Sequence, residues 1–227
     1  MYLVYATIPR PAVLPAGLEG EIAHDHGYLA HLALVECLGT HAPRPYRVLS
    51  VSPRSVVILG YSDLPAPALI ERGAGRLQPG DVHTRSLDTN AWATGQRLRF
   101  DLLTLPVKRK NGKDKYRTRA EVDVWIDRDN LAEDRPTVYT RWLADRLAIQ
   151  GGAELVGRPE VTWRMVELVR STHKQDRPWR MMQRTAASFT GVLRVRDADA
   201  FAALVRGGVG RARAFGYGMT LIRRMEG

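Results

Sequence analysis

Twice along this chain a run of strand periodicity is followed by a helical run and then by further strand runs, an order that restricts it to mixed α+β architectures. In the first pass, residues 2–8 (YLVYATI) read as a strand ended by Pro9 and Pro11. From His24 to Leu38 the apolar residues Tyr28, Leu29, Leu32, Leu34, Val35 and Leu38 follow helical spacing, and Gly39 supplies the stop. Residues 46–51 and 55–61 predict two strands joined by a tight turn around Pro53 and Arg54. A stretch rich in Pro, Ala and Gly over 64–80 reads as a loop, and 96–107 and 116–126 alternate as strands again. Between those last two, Asn111-Gly112 is a strong hairpin signal.

The second pass repeats the order. Residues 136–150 predict a helix with Tyr139, Trp142, Leu143 and Leu147 on one face and Gly151-Gly152 as its stop. Strands are expected at 153–157 and 161–170, then a polar basic loop (STHKQDRP), then one or two strands over 180–195. Asp197 caps a short helix, and a glycine-rich loop leads to the last strand, MTLIRR. The expected fold is therefore α+β: two tandem ferredoxin-like (RRM-like) domains, 1–130 and 131–227, with antiparallel sheets and a basic cleft. The similarity between the halves is one of element order, not of residues.

Charge narrows the partner. The 227 residues carry 34 Lys+Arg against 24 Asp+Glu, a net +10. Residues 97–119, 158–184 and 206–224 together hold a net +16, so the remainder of the chain is net −6. Segregation of this kind suits a phosphate-binding face, because each neutralised phosphate releases a counterion. An anionic membrane surface would use the same charge, yet no basic amphipathic helix or lipidation motif accompanies it. No apolar run approaches the roughly 20 residues of a membrane span. The N-terminus lacks a basic n-region and a long apolar segment, so no cleaved signal is expected and the chain reads as cytoplasmic. The single cysteine, Cys37, excludes an intrachain disulfide framework and a Cys-rich zinc knuckle.

Two motifs invite chemical readings on their residues alone. His24-Asp25-His26, with His31 or His41, is the one place where metal ligands cluster, but zinc needs three or four converging donors with support behind them. No functional metal is therefore expected. The loop at 207–218 (GGVGRARAFGYG) is neither a Walker A sequence nor a dinucleotide fingerprint. It reads either as a turn or as a nest of backbone N–H groups for phosphates, with Arg211 and Arg213 beside it. Of the tryptophans, Trp92, Trp125, Trp142 and Trp163 read as core, whereas Trp179 in its basic loop is the stacking candidate.

Four stretches in register resemble one family. His26-Gly27-Tyr28-Leu29-Ala30-His31-Leu32 resembles its first-helix motif, and GQRLRFDLLTLPVKRKNGK (95–113) its strand running into a basic segment. The helix YTRWLADRLAIQGG (139–152) resembles the one that opens its second domain, and residues 206–218 closely resemble its C-terminal glycine-rich loop. The family is that of the CRISPR pre-crRNA endoribonucleases of the CasE subfamily, the repeat-processing subunit of type I-E Cascade. The resemblance implies cleavage of CRISPR repeat RNA at the 3′ base of a stem-loop, without metal or cofactor, leaving a 2′,3′-cyclic phosphate. It implies too that the protein stays on the crRNA hairpin within an effector complex, beside other CRISPR subunits; a subunit that holds the hairpin without cutting is the alternative.

Carried onto this sequence, the resemblance implies His26 as a proton-transfer group, a role suited to a side chain that titrates near neutrality. Tyr28 is the second catalytic candidate. Some family members place a tyrosine three residues before the histidine, where this chain has Ala23, so the second group stays open among His24, Tyr28 and a lysine. RNA contacts are expected from Lys108, Arg109, Lys110, Lys113 and Lys115 on the first basic segment. Arg170, Lys174, Arg177 and Arg180 would serve the stem base from the second basic loop. In the glycine-rich loop the expected contacts are Gly208, Gly210, Arg211, Arg213, Gly216 and Gly218.

Overall fold

In the computed structural model, the first strand, β1 (Tyr2–Pro9), alternates buried and accessible residues, with Val4, Ala6 and Ile8 facing the core. The structure describes residues 1–12, 14, 24–73, 75–109, 121–170 and 180–225, with backbone only for Arg170 and Arg180. After β1 come helix α1 (His26–Leu38), strands β2 (Tyr46–Val51) and β3 (Ser55–Ser62), helix α2 (Ala66–Arg72) and strand β4 (Val82–Ser86). The sheet order is β2-β3-β1-β4, and β1 pairs antiparallel with both β3 and β4. A β-α-β-β-α-β chain with the fourth and third strands flanking the first is the ferredoxin-like arrangement.

The same arrangement recurs. Strand β5 (Arg97–Thr104) and a short ladder of β6 (Val107–Arg109) with β7 (Glu121–Asp123) precede helix α3 (Arg135–Gln150). Strands β8 (Ala153–Arg170) and β9 (Arg180–Val195), helix α4 (Ala198–Gly207) and strand β10 (Thr220–Arg224) complete the chain. The second sheet runs β10-β5-β9-β8, with β5 antiparallel to β9 and β10. The fold is thus α+β with two ferredoxin-like sheets, as the sequence predicts. Among the described residues no helix is long and apolar enough to cross a membrane.

Three expectations are corrected. The stretch 64–80 is not all loop: Pro65 stands at the N-cap and Pro67 in the first turn of α2, where a missing N–H costs nothing, and Leu69 is fully buried. The fourth strand of the first sheet is β4, at 82–86, while the run at 96–107 opens the second sheet as β5. The break expected between 157 and 161 is absent, since β8 runs through it with Gly157 at φ +75. The Asn111-Gly112 turn and the loop at 171–179 lie outside the described residues.

The chain forms two compact units, each assembled from separated segments. One comprises Met1–Thr89, Val166–Arg184 and Ala212–Met219; the other Asn90–Met165, Thr185–Arg211 and Thr220–Gly227. The cut expected after residue 130 coincides with the limits of neither. In the first unit α1 buries Leu29, Ala30, Ala33 and Leu34 against Val4, Ala6, Val56 and Ile58, and Val169 joins that core. In the second, Trp142 of α3 stacks on Phe189 at 6.3 Å, and Phe201 of α4 meets Trp92 edge-on at 4.9 Å.

A buried polar bond anchors the start of α3. Tyr139 donates its hydroxyl to Asp123 Oδ2 at 2.7 Å, and Asp123 Oδ1 accepts from the Trp125 N–H at 2.8 Å. Burial and the Asp123 carboxylate push the Tyr139 hydroxyl above its ordinary range. Tyr139→Phe strands one oxygen of a buried carboxylate and is expected to destabilise the fold by about 1–3 kcal/mol. Chemical denaturation checks it, as a lower midpoint with an unchanged slope.

Candidate functional site

The first helix begins at an aspartate that faces inward. Asp25, only 2% exposed, is the N-cap of α1: its Oδ1 accepts from the Tyr28 N–H at 2.9 Å. Its Oδ2 accepts from the Val169 N–H at 2.8 Å. One carboxylate thus fixes both the start of the helix and the far end of β8. Its neighbours His24 and His26 are exposed. The aspartate expected as a possible metal ligand is occupied as a cap and clamp, and among the described residues no group of three or more His, Cys, Asp or Glu side chains converges.

Under this helix lies the second half of the glycine-rich loop. A Cβ at Gly27 would stand 2.2 Å from the Phe215 carbonyl oxygen, so the helix approaches the loop as only glycine allows. The Phe215 ring stacks on Tyr28, with centroids 5.9 Å apart and planes 6° from parallel, and meets His31 at 4.8 Å. Tyr46 of β2 donates its hydroxyl to the Ala214 carbonyl at 2.7 Å, and burial pushes that hydroxyl well above its ordinary range. Ala212, with φ +57, enters this segment in the left-handed region.

The first half of the loop is held within the second unit. Thr104 donates its hydroxyl to the Val209 carbonyl at 3.1 Å, and a Cβ at Gly210 would lie 2.5 Å from that same Oγ1. Gly208 caps α4 through its N–H to the Leu204 carbonyl. Gly208, Gly210, Gly216 and Gly218 all hold positive φ. Arg211 pairs with Glu121 at 3.1 Å, and Arg213 is exposed.

The remaining predicted residues divide. Tyr28 is 7% exposed and belongs to the hydrophobic core of the first unit, in contrast to His26. Lys108 Nζ lies 3.2 Å from Asp127, and Arg109, exposed, stands opposite Glu121 in the β6–β7 register. Lys110, Lys113, Lys115, Lys174 and Arg177 lie outside the described residues, as does Trp179, and the side chains of Arg170 and Arg180 are not described. Trp163, expected in the core, is exposed on β8. The cap-and-clamp role of Asp25 and the close approach at Gly27 lie outside the predicted roles. A capping aspartate before a helical run and a glycine inside one are the signals that mark them.

The inward and outward faces make separate demands on stability. Asp25→Ala removes a helix cap and the carboxylate that accepts from the Val169 N–H, an expected loss of about 2–4 kcal/mol. His24→Ala, on the solvent side, is expected to shift stability by less than about 0.5 kcal/mol. Thermal and denaturant unfolding of the two variants checks the contrast.

A family model described as CRISPR associated protein matches residues 1–224. No curated protein sequence matches significantly. Among solved structures, a CRISPR endoribonuclease Cse3 bound to 19 nt RNA aligns over 98% of this chain and 100% of its own, at 22% identity and a TM-score of 0.61. Thermus thermophilus Cse3 bound to an RNA representing a pre-cleavage complex aligns over 98% of each chain, at 21% identity and a TM-score of 0.59. A chain of a CRISPR RNA-guided surveillance complex aligns over 98% of this chain and 100% of its own, at 18% identity and a TM-score of 0.58. At such identities the likeness is one of fold.

Proposed function

The chain belongs to the CRISPR-associated protein family, and on that premise we propose that it is a metal-independent endoribonuclease of CRISPR repeat RNA. It binds the repeat stem-loop, cuts at the 3′ base of the hairpin and remains with the crRNA as a subunit of an effector complex. The observation that carries this reading is the exposed His26 at the first position of a helix whose cap, Asp25, is locked from within.

Cleavage without metal needs a ribose 2′-OH in line with the scissile phosphorus. The 2′-oxygen bonds to phosphorus as its proton leaves to a base, and the 5′-oxygen departs with a proton from an acid. The products are a 2′,3′-cyclic phosphate and a 5′-hydroxyl. His26 serves one of these transfers. The positive end of the α1 dipole beside it favours a phosphate there and the charge that builds on it. Tyr28, packed on Phe215, keeps the loop seated beneath the helix start, so the second proton-transfer group is sought in His24 or a lysine. Two solved relatives of the same fold are named as Cse3 bound to RNA, and another is a chain of a surveillance complex, which supports the choice of substrate and partners.

The test is an end-labelled repeat-hairpin RNA incubated with the protein in EDTA. A single cut is expected, lost when the scissile nucleotide is 2′-deoxy and lost in His26→Ala. Hairpin affinity in that variant should stay within a few-fold of the parent, because proton transfer and phosphate binding use different groups. Tight binding with no cut by the parent protein would instead make it a hairpin-holding subunit. Cutting that persists in His26→Ala would remove the histidine from the mechanism.

A further inference from the structure

Trp163 is 45% exposed on β8, the edge strand of the second sheet, although its sequence context reads as core. The Arg135 guanidinium stands beside it, 5.6 Å from its ring centroid, and lies 4.0 Å over the ring of Trp125. Arg128 approaches that same Trp125 ring at 4.3 Å. Cations and indoles thus alternate from Arg128 through Trp125 and Arg135 to Trp163, the last and most accessible ring. Asp123 and Tyr139 fix the base of the series, since Trp125 is bonded through its N–H to Asp123 and Arg135 also lies 5.9 Å from the Tyr139 ring.

The chemistry of this cluster selects its ligand. A cation seated between two aromatic rings holds the outer one in place and keeps a positive charge next to an apolar plane. Among the described residues Arg135 makes no ion pair, and its guanidinium contacts aromatic rings instead. An exposed ring backed by a positive charge is the pairing that single-stranded RNA takes: the base stacks on the ring and the phosphate meets the cation. A protein strand added along the edge of β8 would cover Trp163 as well, but would leave the Arg135 charge without a phosphate or carboxylate unless it brought one.

We infer that Trp163, backed by Arg135, is a stacking site for an unpaired nucleotide flanking the repeat hairpin. The inference rests on the repeat-RNA reading above and adds to it a contact outside the stem. Trp163 takes no part in the chemistry. Its contribution is to affinity for the flanked substrate, and stacking is tolerant of base identity, so the site selects an extended strand rather than a sequence.

Three fluorescently labelled RNAs test it by anisotropy titration: the blunt repeat hairpin, and the hairpin with a short unpaired extension at its 5′ or its 3′ end. A 2-aminopurine in each extension reports stacking as quenching. In the parent protein one extension should tighten binding and be quenched. Trp163→Ala should weaken binding of that RNA by about 5- to 100-fold and abolish the quenching, leaving the blunt hairpin's affinity unchanged. Trp163→Phe should retain most of both. Equal affinity of Trp163→Ala for flanked and blunt RNA alongside an equally unresponsive parent overturns the inference. So does a loss that falls on the blunt hairpin too. Unchanged RNA binding with loss of assembly into the surveillance complex would overturn it in favour of a protein contact. Failure of the parent protein to bind any of the three RNAs strikes at the repeat-RNA reading itself, and so is told apart from failure of the stacking site.

Discussion

A single buried carboxylate organises the first unit. Asp25 sits at the positive end of the α1 dipole and accepts two backbone N–H bonds, one from the helix it begins and one from Val169 of β8. Those are the interactions that make a buried aspartate tolerable. They also decide what stands outside: with Asp25 turned in, the residues on either side of it, His24 and His26, are turned out to solvent. The histidine proposed to move a proton therefore stands next to a capping aspartate that is bonded to a strand residue 144 positions later in the chain.

The glycine-rich loop is built as two halves with different anchors. Up to Arg211 it is tied to the second unit by the Thr104–Val209 bond and the close approach at Gly210; from Ala212 it is tied to the first by Tyr46, Tyr28 and Gly27. Its glycines serve close approach and positive φ, while Arg213 is exposed and the Arg211 side chain is accessible beside Glu121. From Ala212 onward the segment lies under the first helix, held by Tyr46, Phe215 on Tyr28 and the close approach at Gly27.

Much of this was legible in the sequence, and the failures have physical causes. Elements with strong periodicity and clear punctuation, α1, α3 and α4 among them, lie where the pattern puts them within a residue or two. Helix α2 was hidden because it is one short run whose prolines, read as breakers, occupy the helix start. Strand β4 offers a single buried residue, Val82, and so carries no alternation to detect. Strand β5 is legible as a strand but its sheet is not, since strand order is set by pairing and not by adjacency in the chain. At the site, His26 came from resemblance, and the Asp25–Val169 bond was beyond reach because no local pattern records a contact of that span. The exposure of Trp163 is illegible for a related reason: strand alternation alone does not say that a strand lies at an edge.

The charge pattern acquires a different meaning once its partners are seen. Lys108 faces Asp127, Arg211 faces Glu121, Arg158 faces Asp134, and Arg194 and Arg196 share Glu154. A net charge summed along the sequence therefore overstates the number of cations waiting for phosphate. These pairs are largely accessible to solvent, where each contributes about 0–1 kcal/mol and weakens with salt. An arriving phosphate offers the same cation an equivalent partner, and release of the RNA's condensed counterions adds a drive that the intramolecular carboxylate lacks. On the proposed RNA-binding reading, exchanging these weak, accessible pairs for phosphate contacts costs little. Arg135, between its two indoles, makes no ion pair among the described residues, and on the proposed RNA-binding reading the exposed ring beside it adds a base to what would otherwise be a phosphate contact alone.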